Sequence, residues 1–127
     1  MSIKQTVTNK RMLGAVYEAA AARYLSRQGC LILETNFRCR EGEIDIIAME
    51  NNFLIFVEVR YRSSKKGGGA LASVNKTKQK KICHTAICYL ACHIHRFDIP
   101  CRFDVIGIEG KKIYWVKNAF PFHRTMK

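Results

Sequence analysis

Apolar residues recur at helical spacing between residues 9 and 28: Leu13, Tyr17, Ala21, Tyr24 and Leu25 share one arc, and Arg23 and Arg27 lie opposite. That is the stripe of a helix resting on a core. Gly29 supplies its stop. The short apolar run from Cys30 to Phe37 predicts a first strand, and residues 38–42 a polar turn. The period then changes to two. Ile44, Ile46 and Ala48 alternate with Glu43, Asp45 and Ile47, while Ile55, Val57 and Val59 alternate with Phe56, Glu58 and Arg60. Asn51 and Asn52 stand between these runs, and asparagine tolerates the positive φ of a tight turn, so a β-hairpin is expected. Residues 63–73, with three glycines, predict a mobile loop. A second helix is expected over 74–95, with Ile82, Ala86, Tyr89, Leu90 and Ile94 on its apolar side and Pro100 beyond it. Strands over 102–108 and 112–117 follow, joined by a turn at 109–111, and the tail from Asn118 onward is not expected to form a long element.

The order of helix, three strands, helix and two strands predicts an α/β fold, a single mixed sheet covered by helices. At 127 residues the chain suits one domain spanning 1–127, with 1–8 and 121–127 as flexible tails. No internal repeat is present.

Composition alters this picture in one respect. Lys and Arg number 22 against 10 Asp and Glu, a net charge of +12. Such a field attracts a polyanion, most simply nucleic acid. An anionic membrane surface is the competitor, and a merely basic surface is the plain alternative. The N-terminus lacks the apolar run of a signal peptide, and no stretch reaches the ~18 apolar residues of a membrane span. A cytoplasmic protein with reduced cysteines and no membrane partner is therefore expected. None of the six cysteines is spaced C-x-x-C, so a zinc ribbon is not indicated.

Against that charge, three of the ten acids fall on one face of the predicted hairpin: Glu43, Asp45 and Glu58. With Asn51 and Asn52 as central turn residues, antiparallel partners have numbers summing to 103. Asp45 then opposes Glu58, and Glu43 opposes Arg60, all on one face. Like charges directly opposite destabilise a sheet by some tenths of a kcal/mol to about 1, and partial burial adds a solvation penalty. A divalent cation would offset both, since Mg²⁺ is held by one or two carboxylates, waters and phosphate oxygens. Arg60 could contact the phosphate. The plain alternative is a Glu43–Arg60 ion pair, with Asp45 and Glu58 in solvent.

Glu18 lies at the edge of the first helix's apolar arc and reads from spacing alone as a boundary glutamate; its small neighbours would let the helix approach the sheet closely. Lys76, Lys78, Lys80 and Lys81 occupy two helical turns, preceded by Lys65 and Lys66, with Arg38, Arg40 and Arg62 flanking the hairpin. Phosphate contact is favoured over a solvated face, without base readout. His84, Cys88 and Cys92, at i, i+4 and i+8, read as packing residues, because a soft metal site draws in a second element. Arg102 and Asp104 predict an ion pair on a strand face.

At the hairpin the chain resembles a known pattern. Asp45 followed by Glu58-Val59-Arg60 is similar to the PD-(D/E)xK signature of restriction-endonuclease-like nucleases. The whole chain resembles the YraN family of small bacterial proteins expected to be nucleases. The resemblance rests on Gly14-x-x-x-Glu18-x-x-Ala21, Asn36-x-Arg38, Gly42-Glu43-Ile44-Asp45-x-Ile47-Ala48, Phe56-Val57-Glu58-Val59-Arg60-x-Arg62, Val74-x-x-x-Lys78-x-x-Lys81 and Arg102-Phe103-Asp104-Val105, over roughly residues 12–120. It implies a restriction-endonuclease-like mixed sheet flanked by helices, similar to archaeal Holliday-junction resolvases. By that likeness Glu18, Asp45 and Glu58 are the metal-side acids for Mg²⁺ or Mn²⁺, and Arg60 takes the position of the superfamily lysine. Tyr17 stands where the family often has glycine. Arg60 can clamp phosphate in a bidentate fork but cannot act as a general base.

The combined expectation is a metal-dependent endonuclease acting on nucleic acid, DNA first. Asp45, Glu58, Glu18 and Arg60 form the catalytic set, with Lys65, Lys66, Lys76, Lys78, Lys81 and Arg62 on the backbone. A homodimer follows by analogy with junction resolvases. The alternatives are a non-catalytic nucleic-acid-binding protein of the same fold, which Arg60 favours, and a basic protein-interaction module.

Overall fold

The computed structural model describes residues 10–62 and 69–122. Lys65, Lys66 and the flexible tails expected over 1–8 and 121–127 lie outside the described residues, except for Pro121 and Phe122. Helix α1 spans Lys10–Arg27, and strands β1, β2 and β3 span Leu31–Cys39, Gly42–Glu50 and Phe53–Arg62. A short helix α2 covers Gly69–Ala72 and α3 covers Lys76–Tyr89. Strands β4 (Cys101–Glu109) and β5 (Lys112–Phe120) complete the chain. The five strands lie in sequence order, antiparallel except for the β3–β4 pair, which is parallel. A parallel pair needs a long crossover, and the segment carrying α2 and α3 provides it. The result is the mixed, helix-flanked α/β sheet of a restriction-endonuclease-like fold.

The sheet is buried on both faces. On one side Ala21 and Leu25 of α1 pack on Ile46, Ala48, Ile55, Val57, Ile106 and Ile108. On the other, Ile82, Cys83, Ala86 and Tyr89 of α3 pack on Ile47, Leu54, Phe56, Phe103 and Val105. Double coverage explains why β2, β3 and β4 read as nearly continuous apolar runs. No helix among the described residues is long and apolar enough to cross a membrane.

The hairpin register has the expected sum, from Ile46 opposite Val57 to Glu50 opposite Phe53, and Asn51 takes the left-handed turn conformation at φ 53°. One expected face assignment is wrong. Ile44 does not share a core with Ile46 and Ala48; it joins the α3-side cluster, as does its β1 partner Phe37. Between these pairs sits Asn36, at φ 55°. A left-handed residue in a strand breaks the period of two, and the alternation turns over there.

Three boundaries also differ. Within the expected 63–73 loop, residues 69–72 are helical. The helix expected over 74–95 starts after Asn75, whose side chain accepts the Lys78 N–H at 2.9 Å as an N-cap, and changes from α to π at Leu90–Ile94. Strand β5 runs past Asn118, expected to begin the tail, to Phe120. Asn118 adopts φ 54° and donates its N–H to Asp104 Oδ1 at 2.9 Å, so a register shift carries the strand onward.

Candidate metal centre

The candidate site forms where β2 and β3 part. Their paired residues run only as far as Ile46 and Val57. Past that point the Asp45 carboxylate, not a backbone carbonyl, accepts the Val59 N–H, at 2.8 Å. Asp45 and Glu58 are 8% and 5% exposed, deep for acids. From the α1 side Glu18 enters the fork, and carboxylate oxygens of Glu18, Glu43 and Asp45 lie within 4.8 Å of one another. On the α3 side Glu58 meets Arg60 at 3.2 Å and Lys78 at 3.6 Å. A line of four acids thus passes through the sheet at the fork, ending in two cations.

This arrangement corrects two expectations: Glu43 does not pair with Arg60, and Asp45 and Glu58 are not opposed on one face, because the strands part before them and Asp45 meets Glu18 on the α1 side while Glu58 meets Lys78 on the α3 side. Glu43 pairs with Arg38 at 3.4 Å, and Arg60 turns to Glu58. The reversal of side-chain alternation beside Asn36 separates the two expected partners. Gly14 does not mediate close approach of α1 to the sheet, because a Cβ placed there would meet nothing within 4 Å; fully buried Ala21 marks that contact. Gly14 instead borders a cleft of about 330 Å³, lined by Lys10, Arg11 and Arg38 beside Glu18, Asn36 and Glu43.

Burial dominates the electrostatics. It pushes the Glu58 carboxyl up to about 8, reinforced by the Asp45 charge and opposed by Lys78 and Arg60. Burial also lifts Glu18 to about 7, with Asp45 adding to the rise and a hydrogen bond with Asn36 opposing it. Asp45 is raised by burial and held back chiefly by the Val59 N–H. The acids therefore resist full ionisation together, the condition that a bound cation relieves. The donors are all hard carboxylate oxygens, which fit Mg²⁺ or Mn²⁺ better than a soft metal.

The structure thus gathers Glu18, Asp45, Glu58 and Arg60 and adds two participants that sequence reasoning placed elsewhere. Glu43 joins the acidic group, and Lys78, assigned to the phosphate grip, contacts Glu58. Asn36 was missed as a site residue, and its only signal was the Asn36-x-Arg38 piece of the resemblance. Arg62, Lys76 and Lys81 are exposed nearby in sequence at the end of β3 and on the first turns of α3. The Arg60 Nε atom is enclosed and has no hydrogen-bond partner among the described residues.

The segments that build this fork are also those shared with known proteins. Residues 17–108 match the family described as "Uncharacterised protein family UPF0102". A UPF0102 protein of Janthinobacterium sp. (strain Marseille) is 46% identical over 114 residues, covering 88% of this chain and 89% of its own. A UPF0102 protein of Nitrosomonas europaea is 47% identical over 110 residues, covering 84% and 92%. The UPF0102 protein YraN of Salmonella arizonae is 45% identical over 114 residues, covering 89% and 87%. With a match that takes in α1 from Tyr17, the hairpin, α3 and most of β4, the chain belongs to the UPF0102 (YraN) family.

Proposed function

We propose that the protein is a metal-dependent endonuclease that hydrolyses phosphodiester bonds in nucleic acid, DNA in the first instance. One observation carries this reading: four carboxylates meet at the β2–β3 fork, bounded by Arg60 and Lys78 and opening beside a basic cleft. Glu18, Glu43 and Asp45 would hold Mg²⁺ or Mn²⁺, with Glu58 reaching the same centre through Asp45. When bound, the ion supplies Lewis-acid polarisation of the phosphate and lowers the pKa of water. Arg60 steadies the scissile phosphate, for which its rigid fork of donors is suited.

Lys78 supplies what Arg60 cannot. Arginine does not deprotonate, whereas a lysine amine can exchange a proton with an attacking water. Lys78 Nζ lies 3.6 Å from Glu58, so the superfamily's lysine role passes here from the strand to the helix. Helix α3 gives a second electrostatic reason for an anion. Lys76, Lys78 and Lys80 stand on its first turns with no acid in the first turn. Cations there oppose the helix dipole by about 0.3–1 kcal/mol each, a cost that phosphate at the same end would offset.

The test is cleavage of duplex, single-stranded and four-way-junction DNA and of RNA, in Mg²⁺, Mn²⁺ or EDTA. Metal-dependent cutting should fall at least 100-fold in Asp45→Asn, roughly 2.7 kcal/mol of transition-state stabilisation, while binding persists. Lys78→Ala should lose turnover more than binding. A second reading, a non-catalytic nucleic-acid binder, is favoured by Arg60 in the lysine position. It gains if no substrate is cut while salt-sensitive binding survives both EDTA and Asp45→Asn.

A further inference from the structure

Two tyrosines flank the site residues in sequence and meet in space. Tyr17 of α1 precedes Glu18, and Tyr61 of β3 follows Arg60. Val57, Val59 and Tyr61 face α1, and the Tyr17 and Tyr61 rings stack there with centroids 4.1 Å apart and planes inclined by 12°. Tyr17 packs against the α1-side core, whereas Tyr61 belongs to neither core and is 38% exposed. The stack therefore keeps part of an ordered aromatic ring accessible. It stands close to the acids: a strand advances about 3.3 Å per residue, which sets Tyr61 roughly 7 Å beyond Val59. The Val59 N–H is the one that the Asp45 carboxylate holds at 2.8 Å. Tyr17 also borders a second cleft of about 370 Å³, on a different face of α1 from the cleft beside Glu18. Arg23, Arg27 and Lys111 line it, and no acid is among its described lining residues.

We propose that the Tyr17–Tyr61 stack is a platform for an unpaired nucleobase, so that the substrate class is nucleic acid with unpaired bases, as in single strands and flaps. The inference rests on the nucleic-acid reading above and deepens it. A base close along the chain from a phosphate at the acids lies flat on Tyr61, as a third layer on the pair. The backbone leading away from it follows Arg23, Arg27 and Lys111. Proteins that hold single strands combine a basic groove with aromatic rings in this way, and the stacking tolerates any sequence because every base has a π-face. A base inside a continuous duplex has both faces covered by its neighbours and reaches the platform only after leaving the stack. Tyr17 holds the Tyr61 ring in place beforehand, so little side-chain freedom is lost on binding. The contact uses the ring and not the hydroxyl, so phenylalanine serves in place of Tyr61.

Photocrosslinking and binding, both in EDTA, test the platform apart from catalysis. The full wild-type chain is bound at low salt to single-stranded DNA carrying iodouracil and irradiated, and the adducts are mapped by mass spectrometry. The expected adduct is on Tyr61 or Tyr17. Fluorescence anisotropy then compares a single strand, a flap and a blunt duplex. Tyr61→Ala should weaken single-strand and flap binding by about fivefold or more, the lower end of what one stacked base contributes, while duplex binding moves less than about twofold. Tyr61→Phe should restore the wild-type preference. An adduct map that misses both tyrosines, or no single-strand binding at low salt, overturns the proposal and needs no variant to fold. Equal losses on single strand and duplex in folded Tyr61→Ala also overturn it, because a purely structural pair would affect both alike. A tyrosine adduct in a protein that cuts nothing removes the endonuclease reading alone; cutting without a tyrosine adduct removes the platform alone.

Discussion

Glu58 shows how a single residue's surroundings become chemistry. Its carboxyl is buried against Asp45 and balanced by Lys78 and Arg60. With the folded pKa raised to about 8, and Glu18 raised to about 7, the native state holds protons that the unfolded chain releases near 4.5. The stabilisation from those protons is complete below about pH 4.5 and is lost as pH rises through 7 and then 8. Glu50 acts in the opposite sense. Its hydrogen bonds with Lys117 and Arg102 lower its pKa, so its contribution is present above 4.5 and fades as pH falls through its folded pKa. In EDTA, the urea midpoint should therefore decline from pH 5 to pH 8. Asp45→Asn should flatten that decline, because Asp45 supplies part of the charge that raises both glutamates. Mg²⁺ or Mn²⁺ should restore the midpoint at pH 8. A midpoint indifferent to pH and to metal would contradict the burial of an acid cluster at the fork.

At the scale of elements, two strands depend on one aspartate. Asp104 on β4 is fully buried and accepts from Arg102 Nε at 3.0 Å, Trp115 Nε1 at 2.8 Å and the Asn118 N–H at 2.9 Å. Arg102 also bonds Glu50 of β2, which in turn takes Lys117 of β5 at 2.8 Å. The network ties β2, β4 and β5 at the end of the sheet opposite the fork. The Arg102–Asp104 pair was legible from alternation; its third and fourth partners were not, because they arrive from β5 through a bulge. Asp104→Asn leaves Arg102 without its main counter-charge and should cost about 3–5 kcal/mol in urea unfolding. A loss under 1 kcal/mol would show the network to be peripheral. As Asp104 stands apart from the acidic fork, cleavage per folded molecule should be spared.

Across the whole molecule, charge is divided by role. Twenty-two basic residues surround ten acids, and four of those acids gather at one fork. A polyanion would meet a positive field first and the acids only through a cation. If Lys76 and Lys81 contact phosphates in a duplex, each contributes about 0.9 to the slope of log K against log salt. Replacing both with alanine should lower that slope by about 1.8, read by fluorescence anisotropy over a salt series, and weaken binding similarly for all sequences. An unchanged slope would remove these two lysines from the interface.

The sequence by itself determined the order of the long elements, the hairpin register from its turn to the Ile46–Val57 pair, and the clustering of carboxylates on the hairpin. Those follow from local rules: a period of 3.6 or 2, asparagines in a turn, and the scarcity of acids in a basic chain. Glu18 was legible as a site residue only through family resemblance, because an edge glutamate on an amphipathic helix has no distinctive local signature. Tertiary structure decided the rest. Where β2 parts from β3 beyond the Ile46–Val57 pair, beside left-handed Asn36 of β1, the alternation of β2 turns over, which places Ile44 in the other core and Glu43 in the acidic group. Packing of α3 brought Lys78 to Glu58, and packing of α1 brought Tyr17 to Tyr61. These contacts join residues 20 to 44 positions apart, and no periodicity carries that information, because it depends on where two faces of one sheet place the helices that cover them.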